Sequence, residues 1–246
     1  MSMEIRVESL KKKMAQTQAL NGVSIAFTEV RLHGVIGPEG AGKTTLFRHL
    51  AGLLTANEGK IEYFRDGQLS PFKTVRPWIG YMPQQQSLYP DLSIDEHLRF
   101  FKELYGLNVQ EYKQKRERLL RITNLKEFID RPASKLSGGM YKKLGLMCAL
   151  LSSPKILLLD EPTNGVDPIS RREFWNLLYQ MESEDILVIV ATAYMDEAER
   201  CARVHLINEG QLIASGEPKE LLKAQSVRSF DQYFLKYAED SSDLGR

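Results

Sequence analysis

Gly37 to Thr45 read GPEGAGKTT, and Gly37, Gly42, Lys43 and Thr44 keep the spacing G-x-x-x-x-G-K-[ST]. That spacing suits a loop that cradles phosphate groups. Its glycines let successive backbone N–H groups turn inward on an anion, and the helix that follows adds the positive end of its dipole. Pro38, Glu39, Gly40 and Ala41 make up the rest of the loop. Lys43 would bring a point charge to the β and γ phosphates, the Thr44 hydroxyl would ligate Mg²⁺, and Thr45 would add a phosphate contact. A plain glycine-rich turn capped by Thr44 is the competing reading. The motif's place between a predicted strand and a predicted helix weighs against it.

A second constellation, ILLLDEP over 156–162, ends an apolar run in two acids. A strand of a parallel sheet aims its last residues at the carboxyl edge, where ligands bind. Asp160 would join the Mg²⁺ shell there and Glu161 would polarise an attacking water. Alone, two acids after a strand are as readily a helix start. With GPEGAGKTT upstream, they predict binding of a nucleoside triphosphate.

These residues need elements to hold them. Ile5 and Val7, then Val23, Ile25 and Phe27, alternate with period two and predict strands. Leu32 to Ile36 predicts a third strand running into the phosphate loop, followed by a helix from about Lys43 to Leu54. Ile61 and Tyr63 predict a further strand before a polar loop with Asp66, Gly67 and Pro71. Ile79 to Met82 reads as a short strand. From Ser93 to about Ile129 the pattern is helical, with Leu98, Phe101, Leu104 and Tyr105 on one face and Leu119 and Leu120 on the next. Helices are expected over about 139–151, 169–181 and 196–201, and strands over 155–160 and 186–191. Strands apolar on both faces, alternating with helices, indicate a parallel sheet covered on both sides, an α/β fold. Phe230, Tyr233, Phe234 and Tyr237 predict a tail helix over about 228–240, packed on the body rather than forming an aromatic binding site.

Lys plus Arg number 33 against 32 Asp plus Glu in 246 residues, a net charge of +1 that predicts no nucleic-acid partner. Apolar residues at 43% and charged residues at 26% exclude wholesale disorder. Two cysteines, Cys148 and Cys201, make no disulfide framework and fit a reducing compartment. The start, MSMEIRVESL, lacks the apolar core of a signal peptide, and no run approaches the roughly 18–20 apolar residues of a membrane span. A soluble, intracellular protein of one domain, 1–246, is expected. His33, His49, His97 and His205 lack the clustering of a metal site and read as ordinary strand and helix residues.

Leu136 to Met140 read LSGGM at the start of a predicted helix, with Ser137 a good N-cap. By itself that is equally a capped loop. Its position ahead of ILLLDEP resembles the signature motif of the ATP-binding-cassette (ABC) ATPases. Gln84 in YMPQQQ is similar to the family's Q-loop, and Asp167 in GVDP to its D-loop. The resemblance runs from about Glu4 to Glu220, in order and spacing. It implies a P-loop cassette with a mainly parallel core sheet, an antiparallel β portion near the amino terminus and an inserted helical subdomain, here about 84–153. It further implies ATP as ligand with Mg²⁺, Gln84 sensing both Mg²⁺ and the attacking water, and catalysis by Glu161, Gln84 and Lys43. ABC cassettes work as head-to-tail pairs, so Ser137 and Gly139 would contact the γ-phosphate held by a second cassette, in a homodimer or heterodimer. An integral membrane permease would dock near Gln84 and the helical segment. The chain would then lie at the cytoplasmic face of the plasma membrane, reaching it only through that permease.

The spelling LSGGM-KKLGLMCAL, with GVDPISRREFW and YMDEAER, looks like the cassettes of ABC-2-type exporters. It is similar to both the multidrug-exporter ATPases and the ribosome-associated ATPase group. Both groups include longer polypeptides with tandem cassettes. The leading expectation is an exporter ATPase, and the alternative is a cassette of a soluble ribosome-associated ATPase. Two departures stand out. Where the family usually has T-H-Y-M-D-E-A-E, this chain has Ala193 in place of the His that bonds the γ-phosphate. Near the amino terminus, Met14 falls close to the position of the aromatic that stacks on adenine. Both departures concern the chain's own nucleotide, and together they imply a site that binds and closes but hydrolyses slowly.

Overall fold

Isoleucines, valines and leucines at alternate positions dictate the strands, and the computed structural model describes residues 2–28, 31–85 and 88–244. Residues 1 and 245–246 of the expected domain, and Gln86 of YMPQQQ, lie outside the described residues. The first strands are β1 (Met3–Met14), β2 (Thr17–Phe27), β3 (Leu32–Ile36), β4 (Glu58–Arg65) and β5 (Gln68–Ser70). They are followed by β6 (Ile79–Met82), β7 (Ile156–Asp160), β8 (Leu187–Thr192), β9 (Arg203–Asn208) and β10 (Gln211–Gly216). The helices are α1 (Lys43–Leu50), α2 (Phe72–Val75), α3 (Ile94–Tyr105) and α4 (Val109–Thr123). After them come α5 (Gly138–Leu150), α6 (Pro168–Glu182), α7 (Pro218–Ala224) and α8 (Phe230–Leu244).

Two sheets result. The amino-terminal one is antiparallel, in the order β2-β1-β4-β5. The second runs β10-β9-β3-β8-β7-β6, parallel throughout except where β10 pairs with β9. Its central strands are buried on both faces, which is why they read as unbroken apolar runs. Leu157, Leu159, Val188 and Val190 pack with α5 and α6 on one side. Ile156, Leu158, Leu187 and Ile189 pack on the other with Leu46, Phe47 and Leu50 of α1 and with the antiparallel sheet. Between β6 and β7 the described residues hold α3, α4, α5 and short 3₁₀ turns, and no strand.

Several expected boundaries move, each for a local reason. Helix α1 stops at Leu50 rather than Leu54, because Gly52 turns left-handed at φ +68° and its N–H closes on the His49 carbonyl. Phe72 packs so tightly there that a Cβ at Gly52 would lie 2.2 Å from its ring. Asp66 and Gly67, both at positive φ, form a two-residue hairpin turn into β5, a strand the polar-loop reading missed. The helical stretch from Ser93 is two helices. α3 opens on a Ser93–Glu96 capping box and ends at left-handed Gly106; Asn108 caps α4. Leu98 is buried on α3 and Phe101 half-buried, but Leu104 is 64% exposed. Six residues on from Leu98 is roughly 240° around a helix, off the apolar stripe. The stretch 195–200 is a 3₁₀ turn rather than an α-helix. Phe230 and Tyr233 of α8 join the main core, as expected of a packed tail helix. Among the described residues, no helix is long and apolar enough to cross a membrane.

Candidate nucleotide site

The phosphate loop lies between the end of β3 and the start of α1, at the carboxyl edge of the parallel sheet. Two of its glycines are fixed by contact. A Cβ on Gly37 would sit 2.0 Å from the Ile207 carbonyl oxygen of β9, and one on Gly42 2.4 Å from the Ala19 carbonyl. Gly42 also holds φ +102°, a conformation only glycine takes readily. It stands at the N-cap of α1 with no side-chain cap, so the first N–H groups of that helix are left for a ligand.

A cavity of about 380 Å³ opens over this loop, lined by Glu39 to Thr45, by Thr17 and Ala19 of β2, and by Gln84 and Glu161. Gly37 and Pro38 are not on its wall but hold its lysine. Lys43 Nζ donates to their carbonyls at 2.8 and 2.9 Å and lies 3.6 Å from Glu161 Oε1. Burial pushes the Lys43 ammonium below its ordinary range, against the opposing pull of Glu161, Asp160 and Glu39. Thr44 Oγ1 donates to Asp160 Oδ1 at 3.2 Å, and the Tyr81 hydroxyl donates to Asp160 Oδ2 at 3.5 Å. Asp160 is fully buried, and burial raises its carboxyl above the usual range although the Thr44 bond lowers it. A half-buried hydroxyl paired with a buried carboxylate beside the phosphate loop is a hard oxygen set that fits Mg²⁺.

Glu161 follows β7 in a left-handed conformation, φ +47°, which costs a non-glycine residue about 1–3 kcal/mol. Its N–H donates to the Ala191 carbonyl at 2.9 Å, and the turn aims its carboxylate into the cavity. Gln84 Nε2 donates to Glu161 Oε2 at 2.9 Å, so Gln84, Lys43 and Glu161 come together although they are spread over the chain. Lys142 of α5 reaches the same turn, donating to the Glu161 carbonyl at 3.3 Å, and burial lowers its ammonium.

Ser137 and Gly139 are not on this cavity wall. Ser137 caps α5, its hydroxyl accepting from Met140 N at 3.3 Å, and it faces solvent. Gly139 is buried against α6, where a Cβ would lie 2.5 Å from Ser170 Cβ. Met14 is also elsewhere. It is 41% exposed at the end of the β1–β2 hairpin, and Thr17 and Ala19 line the rim instead. None of the four histidines lines either cavity beside Glu161. His33 and His205 stack on each other in the sheet at 5.5 Å, His49 Nδ1 contacts the Thr45 carbonyl, and His97 Nε2 accepts from Tyr89 N. Ala193 lines a smaller cavity of about 100 Å³ with Glu39, Glu161, Asn164, Thr192 and Tyr194. The sequence reading passed over Asn164 and Tyr194. Asn164 sits three residues after Glu161, and a polar amide that near was the available signal; Tyr194 offered none beyond its neighbour Ala193.

Comparison with known proteins agrees with this geometry. The family described as ABC transporter matches residues 20–164. The chain is 47% identical over 197 residues to the Probable multidrug ABC transporter ATP-binding protein YbhF of Escherichia coli (strain K12), covering 80% of this chain and 34% of that protein. It thus spans about a third of that relative's length. It is 32% identical over 219 residues to Nod factor export ATP-binding protein I of Ralstonia nicotianae, covering 89% of this chain and 68% of that one. Among solved structures, an ATP binding subunit of an ABC transporter superposes with TM-score 0.81 at 26% identity, covering 94% of this chain and 98% of that one. CbiO1 from Clostridium perfringens, part of the ABC transporter complex cbiONQ, superposes with TM-score 0.79 at 29% identity over 90% and 91% of the two chains. The chain therefore belongs to the ABC transporter family, as one of its ATP-binding cassettes.

Proposed function

We propose that this cassette hydrolyses ATP to power an ABC-2-type membrane exporter, working as one half of a head-to-tail pair. The convergence of Lys43, Gln84 and Glu161 on one cavity over the phosphate loop carries the reading. The phosphates occupy the N-terminus of α1, where the backbone N–H groups of Gly40 and of Gly42 to Thr45 and the Lys43 ammonium hold them, the Ala41 N–H being taken by the Pro38 carbonyl. Thr44, Asp160 and Gln84 would hold Mg²⁺, which would supply charge neutralisation to the phosphates. Glu161 takes the proton of the attacking water. The phosphate must draw Lys43 away from Glu161, because one ammonium cannot serve both at full strength.

Ser137 and Gly139 face away from this chain's own cavity and serve the γ-phosphate on a second cassette, a copy of this chain or a different one. Closure of the pair on ATP and its reopening on hydrolysis move a separate membrane permease docked near Gln84 and the α3–α5 region. The cassette therefore works from the cytoplasmic face of the membrane, with residues 84–153 as its helical subdomain and residues 1–246 as one ATP-binding domain. The names of its relatives, a probable multidrug ABC transporter ATP-binding protein and a Nod factor export ATP-binding protein, support export.

Ala193 contributes no polar group beside Glu161, so turnover at this site is slow. Where the second cassette has an intact site, that site carries most of the flux, and in a homodimer Gln84 and Glu161 carry catalysis alone. Loss of one preorganised polar group near a transition state costs on the order of 10²–10³ in rate. The test compares steady-state ATP turnover of the wild type, Ala193→His and Glu161→Gln. Acceleration by Ala193→His and loss in Glu161→Gln are expected; equal rates for wild type and Ala193→His sink the slow-site reading. Co-purification of the chain with an integral membrane protein from native membranes tests the exporter assignment.

A further inference from the structure

Glu161 is held by more than the phosphate-loop lysine. Its two carboxylate oxygens have different surroundings. Oε1 faces Lys43 Nζ at 3.6 Å, while Oε2 accepts two amide bonds, from Gln84 at 2.9 Å and from Asn164 Nδ2 at 3.1 Å. Asn164 is itself oriented from behind, its Oδ1 accepting from the Tyr194 hydroxyl at 3.3 Å. Tyr194 is anchored in turn. Its N–H donates to Thr192 Oγ1 at 3.0 Å, and the Arg171 guanidinium lies over its ring at 4.8 Å. Arg171 is fixed by Asp196 and by Glu197, which is fully buried and also accepts from Thr163 and Trp175. A continuous polar chain thus runs from the turn after β8 to the carboxylate after β7. Only a side chain with both a donor and an acceptor, such as Asn, can link Tyr194 to Glu161 in this way.

We infer that Asn164 and Tyr194 are positioning residues for hydrolysis: they fix Oε2 of Glu161 and leave Oε1 as the oxygen that receives the proton. The inference rests on the ATPase reading above. In the step, the water O–H bond breaks and its proton passes to Oε1. The water oxygen bonds the γ-phosphorus, and the bond to the β–γ bridging oxygen breaks with its electron pair leaving on ADP. The chain supplies from positions 164 and 194 the orientation that the methyl group of Ala193 cannot give.

The test measures kcat and KM for ATP, with the Kd of a fluorescent ATP analogue, in the full chain carrying Asn164→Ala, Tyr194→Phe or both. Asn164→Ala is expected to lower kcat about tenfold, the kinetic worth of one hydrogen bond, with KM and Kd within about twofold of wild type. Tyr194→Phe should lower kcat a few-fold in the wild type and not at all in the Asn164→Ala background, since it acts through Asn164. Tyr194 lies at the surface, so Tyr194→Phe keeps the fold and the test stands even where Asn164→Ala does not fold. Unchanged kcat in both single variants, with Glu161→Gln inactive, overturns the inference and leaves the ATPase reading. Full multiplication of the two losses overturns the relay from Tyr194. Turnover that survives Glu161→Gln overturns Glu161 as the base and the inference with it, whereas a wild type without ATP turnover overturns the ATPase reading.

Discussion

The phosphate loop and the LSGGM loop are both short glycine-containing turns that open a helix, yet they are built in opposite ways. At the phosphate loop, Gly42 offers α1 no side-chain cap, and Gly37 and Gly42 are pressed against the carbonyls of Ile207 and Ala19. The surrounding side chains turn inward onto one cavity. At LSGGM, Ser137 caps α5 with its own hydroxyl, and the loop faces solvent with Gly139 alone wedged against α6. One helix start is kept unsatisfied for a ligand of this chain. The other is satisfied by its own Ser137 cap, and under the proposed pairing it would meet a ligand presented by a second chain.

The comparison breaks most sharply at the glycines. Gly42→Ala adds a Cβ 2.4 Å from a backbone oxygen in a left-handed conformation. Strain and overpacking of about 1–3 kcal/mol each should lower ATP affinity on the order of 10²-fold or more by calorimetry. Binding within tenfold of wild type would show that the loop yields, and that its rigidity is not what selects phosphate. Gly139→Ala should instead leave that affinity unchanged while costing about 1–3 kcal/mol of stability to urea, since Ser170 must move. Ser137→Ala removes only a cap, so a loss of about 1 kcal/mol is expected, again without change in ATP affinity. In a Glu161→Gln background it should also weaken ATP-driven self-association in sedimentation. Loss of ATP binding by the lone chain in either LSGGM variant would erase the distinction.

The smallest expected effect is on the cradle side alone. His33 and His205 stack in β3 and β9, the strands that end beneath the phosphate loop, and His205 Nδ1 meets Ser215 Oγ at 2.9 Å. Burial, then the neighbouring His33 and Arg203, hold the His205 imidazole well below its ordinary range. The unfolded chain therefore binds more protons than the folded one once the pH falls below about 6.5, and folding stability declines from there downward. Above that pH both states are neutral at this residue and the effect vanishes. Between pH 7 and 5.5 the melting midpoint should fall by about 2–4 °C more in the wild type than in His205→Phe. Equal slopes would place the acid sensitivity elsewhere.

The same contrast marks what the sequence could and could not reveal. The grouping of Gly37, Gly42, Lys43, Thr44, Asp160 and Glu161 around one loop was legible because two motifs carry them in few residue types at fixed spacing. The parallel strands were legible because burial on both faces leaves unbroken apolar runs such as 156–159 and 187–191. Contacts across the fold were not. The Gln84–Glu161 bond spans 77 residues and the Tyr194–Asn164 bond 30, and no local pattern records either. The end of α1 was misjudged because Leu53 and Leu54 continue the apolar period while Gly52 breaks the backbone, and the backbone wins.

The Lys43 contacts carry one more consequence. With its ammonium bound to two loop carbonyls and set against Glu161, the protein contains an internal competitor for the very charge that a triphosphate seeks. Affinity for ATP is then a difference between two claims on one lysine, and Glu161 sits on the opposing side. Under the proposed role of Glu161, a change that silences the carboxylate would do two things at once: stop turnover and release the lysine. On that reading, occupancy and turnover oppose one another through the single ion pair between Lys43 and Glu161.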